Sequence, residues 1–185
     1  MNPLFLAGLE IQNILEERKW PFCFIGGLAV IRWGELRMTQ DVDLCLITGF
    51  GNEKKYINGL LEAFKSRIPD ALDFALDNRV LLLSASNGVS VDVSLSGLQF
   101  ETEMVNRATP FSYDQECSLL TSSAEDLMVL KAFADRSQDW IDVEGIITRQ
   151  KQHLDVDYIV KQLTPLCELK ETPEIVDKLK EMINP

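Results

Sequence analysis

Two aspartates stand one residue apart in Asp41-Val42-Asp43-Leu44-Cys45-Leu46-Ile47. The segment is apolar enough to read as a strand, and side chains two apart on a strand share a face. Asp41 and Asp43 therefore point one way, and Val42 and Leu44 point into a core. In Val89-Ser90-Val91-Asp92-Val93-Ser94-Leu95 the alternation buries the aliphatic residues and leaves Asp92 between two serines on the polar face. If the two strands are neighbours, three carboxylates converge on one patch. Each carboxylate then raises its neighbours' pKa, and the usual remedy is a divalent cation with hard oxygen ligands, Mg²⁺ or Mn²⁺. Two such ions about 4 Å apart can clamp the attacking and leaving oxygens of an in-line phosphoryl transfer. Aspartates at strand ends also satisfy turns and helix starts, so the carboxylates alone leave metal catalysis and a structural role both open.

Upstream, Phe22-Cys23-Phe24-Ile25 reads as a short buried strand ending at Gly26-Gly27, and Leu28 to Trp33 read as a helix. A turn without side chains at a helix N-terminus lets backbone amides approach a phosphate. Thirteen residues separate Gly27 from Asp41, so a phosphate cradle and a metal site would fall close together in sequence. Phe24-Ile25-Gly26-Gly27-Leu28-Ala29-Val30 followed by Arg37-Met38-Thr39-Gln40-Asp41-Val42-Asp43-Leu44 resembles the first motif of polymerase-β-type nucleotidyltransferases. The Gly-Gly form with Arg-x-Thr-x-Asp-x-Asp is most similar to the AbiEii/AbiGii toxin branch.

The resemblance implies that Gly26 and Gly27 hold the triphosphate, that Asp41 and Asp43 bind metal, and that Asp92 is the third carboxylate. A downstream segment, Glu125 to Arg136 followed by Asp139 and Asp142, resembles the Lys-bearing helix of the same branch. It implies that Lys131 reaches the NTP phosphates, with Arg136, Asp139 and Asp142 in support. Asp139 and Asp142, three apart on a helix, could accept from Arg136 or position Lys131; on spacing they also fit a solvated face. For Arg37 two roles stand equal, contact with phosphate or pairing with a nearby acid, and Thr39 flanks the same site. The expected activity is transfer of a nucleoside monophosphate from an NTP to a hydroxyl acceptor. A small molecule, an RNA end and a protein are all open as acceptor, and an antitoxin-like protein partner is one option. The alternative is a catalytically inactive nucleotide-binding or protein-interaction module of the same fold.

The elements that must position these residues follow in order. Asn2-Pro3 starts a helix running to about Arg18. After the strand at 22–25, the helix at 28–33 and the strand at 41–47 come an amphipathic helix over 54–67 and strands at 80–84 and 89–95. Residues 98–120 read as irregular with short strands around Val105 and Phe111. Ser122 and Glu125 match a capping box, opening a helix to about Arg136. Helices over 139–148, 155–169 and 173–183 complete the chain. The class is α+β, a small mixed sheet flanked by helices. Residues 1–120 are expected to form the nucleotidyltransferase core, with a helical segment at 121–185 packed on it in one structural unit. Trp33, Phe133 and Trp140, at helical spacing among aliphatic residues, read as core.

Composition narrows the class. Net charge is −11; residues 1–100 carry 9 basic and 12 acidic side chains, and residues 101–185 carry 9 and 17. Counterion release needs clustered Lys and Arg, so broad nucleic-acid binding is not expected. Cys23, Cys45, Cys117 and Cys167 are scattered with no C-x-x-C pair, and the one histidine, His153, lies near none of them. They read as free thiols, not as a zinc site. No apolar run approaches a membrane span, and the first twenty residues lack the pattern of a signal peptide, which makes the cytoplasm the expected location.

Overall fold

The computed structural model of the chain describes residues 2–184. Its contacts divide it into two units, one of the residues up to Leu28 together with Met38–Ser122, the other of Ala29–Arg37 and the chain from Ser123.

The first unit opens with α1 (Pro3–Glu17), whose Asn2 cap accepts from the Leu4 amide at 2.9 Å. The strand β1 (Phe22–Phe24) leads into α2 (Gly26–Trp33), whose first residues alone belong to this unit. Then come β2 (Asp41–Ile47), α3 (Glu53–Ala63), β3 (Lys65–Ser66), α4 (Ala71–Asn78), β4 (Val80–Ser84), β5 (Ser90–Ser96), α5 (Gln99–Arg107), β6 (Thr109–Ser112) and β7 (Ser118–Thr121). The strands form one mixed sheet in the order β3-β4-β5-β2-β1-β7-β6. β2 runs parallel to β5 and antiparallel to β1, and β1 runs parallel to β7. The α+β class expected from the sequence is thus observed.

Alternation decides which face is core. Val42, Leu44 and Leu46 of β2, Val91 and Val93 of β5, and Leu81 and Leu83 of β4 are fully buried, and they join Ile11 and Leu15 of α1 and Ile57 and Leu60 of α3 in one cluster. At about 1.5–3 kcal/mol for each buried aliphatic side chain, this face fixes the strand register, because a slip of one residue would turn every one of them to the other face. All four cysteines are buried free thiols.

Four readings are corrected. The helix expected over 54–67 ends at Ala63, and Phe64 turns extended so that Lys65 and Ser66 can pair with β4; Ile68 before Pro69 is the sequence sign that a helix would not continue. The strand expected around Val105 is α5, whose Phe100, Met104 and Val105 recur at helical spacing, and Glu101 accepts from the Gly97 and Leu98 amides at 2.7 and 2.8 Å. The capping residue of the next helix is Ser123, not Ser122: its Oγ accepts from the Asp126 amide at 3.1 Å. Of the three aromatics read as core, Trp140 is buried, whereas Trp33 and Phe133 are half-buried under the cationic ends of Arg32 and Lys170.

The second unit holds the remainder of α2 with α6 (Ala124–Ala134), α7 (Ser137–Gln150), α8 (Val156–Lys170) and α9 (Glu174–Ile183). α6 contacts α7, α8 and α9 and buries Leu127, Met128, Val129 and Ala132 completely. No helix among the described residues is long and apolar enough to cross a membrane.

One buried polar side chain closes a gap in the sheet. β1 pairs with β7 through Phe24↔Thr121. Nearer the start of β7, the Gln12 side chain of α1 donates to the Ser118 carbonyl at 3.1 Å and accepts from the Leu120 amide at 3.0 Å. Gln12→Leu leaves two backbone groups without these partners, at roughly 1–3 kcal/mol for a buried group left unsatisfied. A loss of about 2 kcal/mol in urea unfolding is expected; unchanged stability would show that the amide bracket contributes nothing.

Candidate active site

β2 and β5 are parallel neighbours, and their register pairs Asp43 with Asp92 directly. Asp41 lies two residues before Asp43 on the same face, so with the strands as neighbours the three carboxylates meet. One oxygen from each lies within 4.8 Å of the others, and all three side chains are half-buried.

The turn between β1 and α2 closes one side of this cluster. The Ile25 amide donates to the Asp43 carbonyl at 3.0 Å, tying the turn to β2. Gly26 has φ +57°, and a Cβ built there would run into the Asp43 carboxylate. A Cβ on Gly27 would lie 2.5 Å from the Thr39 Cβ. Both glycines are therefore required sterically by the approach of the turn to β2 and to the segment before it. The same bareness leaves the first amides of α2, which have no partner within a helix, at the cluster's edge. Thr39 Oγ1 in turn donates to Asp41 Oδ1 at 3.1 Å.

Arg67, just after β3, was not singled out by sequence, yet it meets the third carboxylate. Its Nη2 donates to Asp92 Oδ1. Burial pushes the Asp92 carboxyl above the usual aspartate range; Arg67 pulls it down, and Asp41 pushes it up. Ile68-Pro69 signals only that the helix ends before Pro69; the meeting of Arg67 with Asp92 is set by long-range strand pairing.

The remaining expected site residues form a second cluster inside the second unit. Lys131 Nζ lies 2.8 Å from both Asp139 Oδ1 and Asp142 Oδ2. Arg37 grips Asp142 with two parallel hydrogen bonds, at 2.7 and 2.9 Å, and Arg136 Nε donates to Asp139 at 2.5 Å. Asp139 and Asp142 are 1% and 3% exposed, so they do not form a solvated face. Lys131, which the family resemblance assigns to the NTP phosphates, directs two of its three donors at these carboxylates. Arg37 shows the acid-pairing geometry.

A family model described as "Nucleotidyltransferase of unknown function (DUF6036)" matches residues 4–174. No curated protein matches the sequence. Among solved structures, an antigenic nucleotidyltransferase-like protein from Paracoccidioides brasiliensis aligns with a TM-score of 0.54 at 15% identity, over 96% of this chain and 92% of that one. The lincomycin-bound lincosamide antibiotic adenylyltransferase LnuA aligns with a TM-score of 0.52 at 15% identity, over 79% of this chain and 96% of that one. At such identity the two structures establish likeness of fold.

Two expectations arise from this geometry. Gly26→Ala combines a left-handed backbone, roughly 1–2 kcal/mol for an L-residue, with a collision at Asp43. It is expected to lower the melting temperature and to displace Asp43, visible as changed Asp43 and Asp92 resonances in carboxyl NMR. Burial raises Asp139 and Asp142, but hydrogen bonds and charge from Arg136 and Lys131 at the first, and from Arg37 and Lys131 at the second, outweigh it and hold both below 3.8. An acid with a depressed folded-state pKa adds stability that is complete above its unfolded value and is lost as pH falls through the folded one. Lys131→Met is expected to cost about 3 kcal/mol at neutral pH, the penalty for breaking a buried pair, and to flatten the loss of stability below about pH 4. Chemical denaturation across pH checks both; an unaltered acid limb would show that Lys131 does not hold these carboxylates down.

Proposed function

We infer the activity from one established premise: the chain belongs to the family of nucleotidyltransferases of unknown function. The reaction we propose is transfer of a nucleoside monophosphate from an NTP to a hydroxyl acceptor with release of pyrophosphate. The observation that carries it is the meeting of Asp41, Asp43 and Asp92 on one half-buried patch, fixed by the β2–β5 register.

The donor set suits Mg²⁺ or Mn²⁺: three carboxylates offer hard oxygens, and phosphate oxygens or water complete the shell. Asp41, Asp43 and Asp92 would hold the ion. When bound, it neutralises triphosphate charge and lowers the pKa of an acceptor hydroxyl. The chain's own residues do the rest. Thr39 fixes the Asp41 carboxylate by its hydrogen bond. Gly26 and Gly27 leave room for a phosphate at the first amides of α2, where the helix carries partial positive charge. Asp92 would take the acceptor's proton. The acceptor oxygen bonds to the α-phosphorus as the bond from that phosphorus to the bridging oxygen breaks. Pyrophosphate leaves with the electron pair.

Net charge of −11 favours a small-molecule or protein acceptor over RNA; a steep loss of acceptor binding between low and moderate salt would restore RNA. The toxin-branch assignment belongs to this proposal and rests on the Gly-Gly and Arg-x-Thr-x-Asp-x-Asp pattern.

The test is thermal stability of wild type and Asp43→Ala with ATP, GTP, CTP and UTP, each with and without Mg²⁺, followed by pyrophosphate release with small-molecule, RNA and protein fractions. A ligand at a hundred times its Kd stabilises by about 2.7 kcal/mol. A metal-dependent rise of a few degrees is expected in wild type with at least one NTP. Asp43→Ala should lose both the rise and pyrophosphate release while keeping its circular dichroism. No rise with any NTP, or full activity in Asp43→Ala, would overturn the proposal.

A further inference from the structure

A row of register partners crosses the sheet of the first unit. The Arg67 amide donates to the Leu82 carbonyl of β4 at 3.0 Å, Leu82 is the partner of Asp92 on β5, and Asp92 is the partner of Asp43 on β2. From the backbone at Arg67 to that at Asp92 is two strand spacings, about 10 Å, a gap that an arginine and an aspartate reaching toward each other can close. The Arg67 guanidinium spans Leu82 in this way and bonds Asp92. The backbone beside it is pinned: Ser66 Oγ donates to the Ile68 carbonyl at 2.7 Å and accepts from the Ile68 amide at 3.1 Å. The cation thus arrives from a fixed point, in line with the carboxylate row.

A guanidinium seated on Asp92 does two things to a divalent cation. It occupies lone-pair directions that metal coordination needs, and it sets a like charge within a few ångströms in a site only about a third exposed. In return it relieves the repulsion that would otherwise act among three neighbouring carboxylates. We propose that Arg67 is a resident countercation of the cluster, a positioning residue that holds Asp92 in place while the site is metal-free and is displaced from it when a divalent cation enters. This rests on the metal-binding role assigned above to Asp41, Asp43 and Asp92.

Metal affinity, measured without nucleotide, separates this role from a structural ion pair, which would move stability alone. Mn²⁺ is titrated calorimetrically into wild type, Arg67→Met, Arg67→Lys and Asp43→Asn. Arg67→Met is expected to bind Mn²⁺ on the order of three- to tenfold more tightly than wild type, while its metal-free melting temperature falls. Arg67→Lys, which keeps the charge, should stay near wild type in both. Where wild type binds Mn²⁺ and Asp43→Asn does not, unchanged or weaker binding in Arg67→Met overturns the countercation role and leaves the metal site standing. A wild type that binds no Mn²⁺ removes both. A second measurement does not depend on the folding of Arg67→Met: the Arg67 Nε–Hε resonance of wild type should shift on saturation with Mg²⁺ and stay fixed in Asp43→Asn. A resonance unmoved in wild type at saturating Mg²⁺ overturns displacement.

Discussion

The parallel pairing of β2 with β5 is the constraint on which the site depends. It places Asp43 opposite Asp92 and carries Asp41 onto the same face, an arrangement that by itself is repulsive. What pins it is on the other face, where Val42, Leu44 and Leu46 interleave with Val91, Val93 and Leu95. Six aliphatic side chains at about 1.5–3 kcal/mol each outweigh the repulsion among partly solvated carboxylates, which solvent screens. The acids converge because the aliphatics cannot slip. Like charges forced together by a core on the reverse of the sheet create a demand for positive charge, and that demand is the chemical meaning of the patch.

The face of each carboxylate was legible in the chain itself, because it rests on period-two alternation, the most direct of sequence signals; that β2 and β5 are neighbours was not, because no local pattern states a long-range pairing. Asp41 and Asp43 alternate with Val42 and Leu44, and Asp92 alternates with Val91 and Val93, so their face could be read without knowing the neighbours. The Gly26-Gly27 turn was legible for a related reason: bare residues between a strand and a helix mark close approach, here to Asp43 and Thr39. The order of most elements was likewise open to reading. Arg67 was hidden because its partner depends on the β3–β4–β5 register, which no local pattern states. α5 was hidden because Phe100, Met104 and Val105 give too short a periodic run to outweigh its polar residues. The face of Asp139 and Asp142 was unreadable for a third reason. Two acids three apart describe a solvated helix as well as a buried one, and only the partners, Lys131, Arg37 and Arg136, decide between them.

The second unit contains a different electrostatic arrangement. Lys131, Arg37 and Arg136 surround Asp139 and Asp142, so each buried carboxylate has two cationic partners. Burying charge is costly, and an apolar replacement of equal shape could be as stable. What a network of this kind supplies is definition: Arg37 can meet Asp142 with two parallel hydrogen bonds in one geometry only, which fixes the chain just past α2 against α7 within that unit.

The two clusters differ in burial and in the cations their carboxylates meet. Asp139 and Asp142 themselves are nearly shut from water and are matched by cations from three sites in the chain. Around Asp41, Asp43 and Asp92 the carboxylates are only half-buried, and one arginine serves the third of them. A carboxylate pair that is fully matched has its pKa depressed and little left to offer a ligand. A carboxylate whose burial outweighs its cation, as at Asp92, has its pKa raised and remains open to a further charge. The shifts of Asp139 and Asp142 run down and that of Asp92 runs up, following burial and the cations each one meets. The contrast suits a ligand-directed role for the cluster on the sheet, as proposed above, and an anchoring role for the one among the helices.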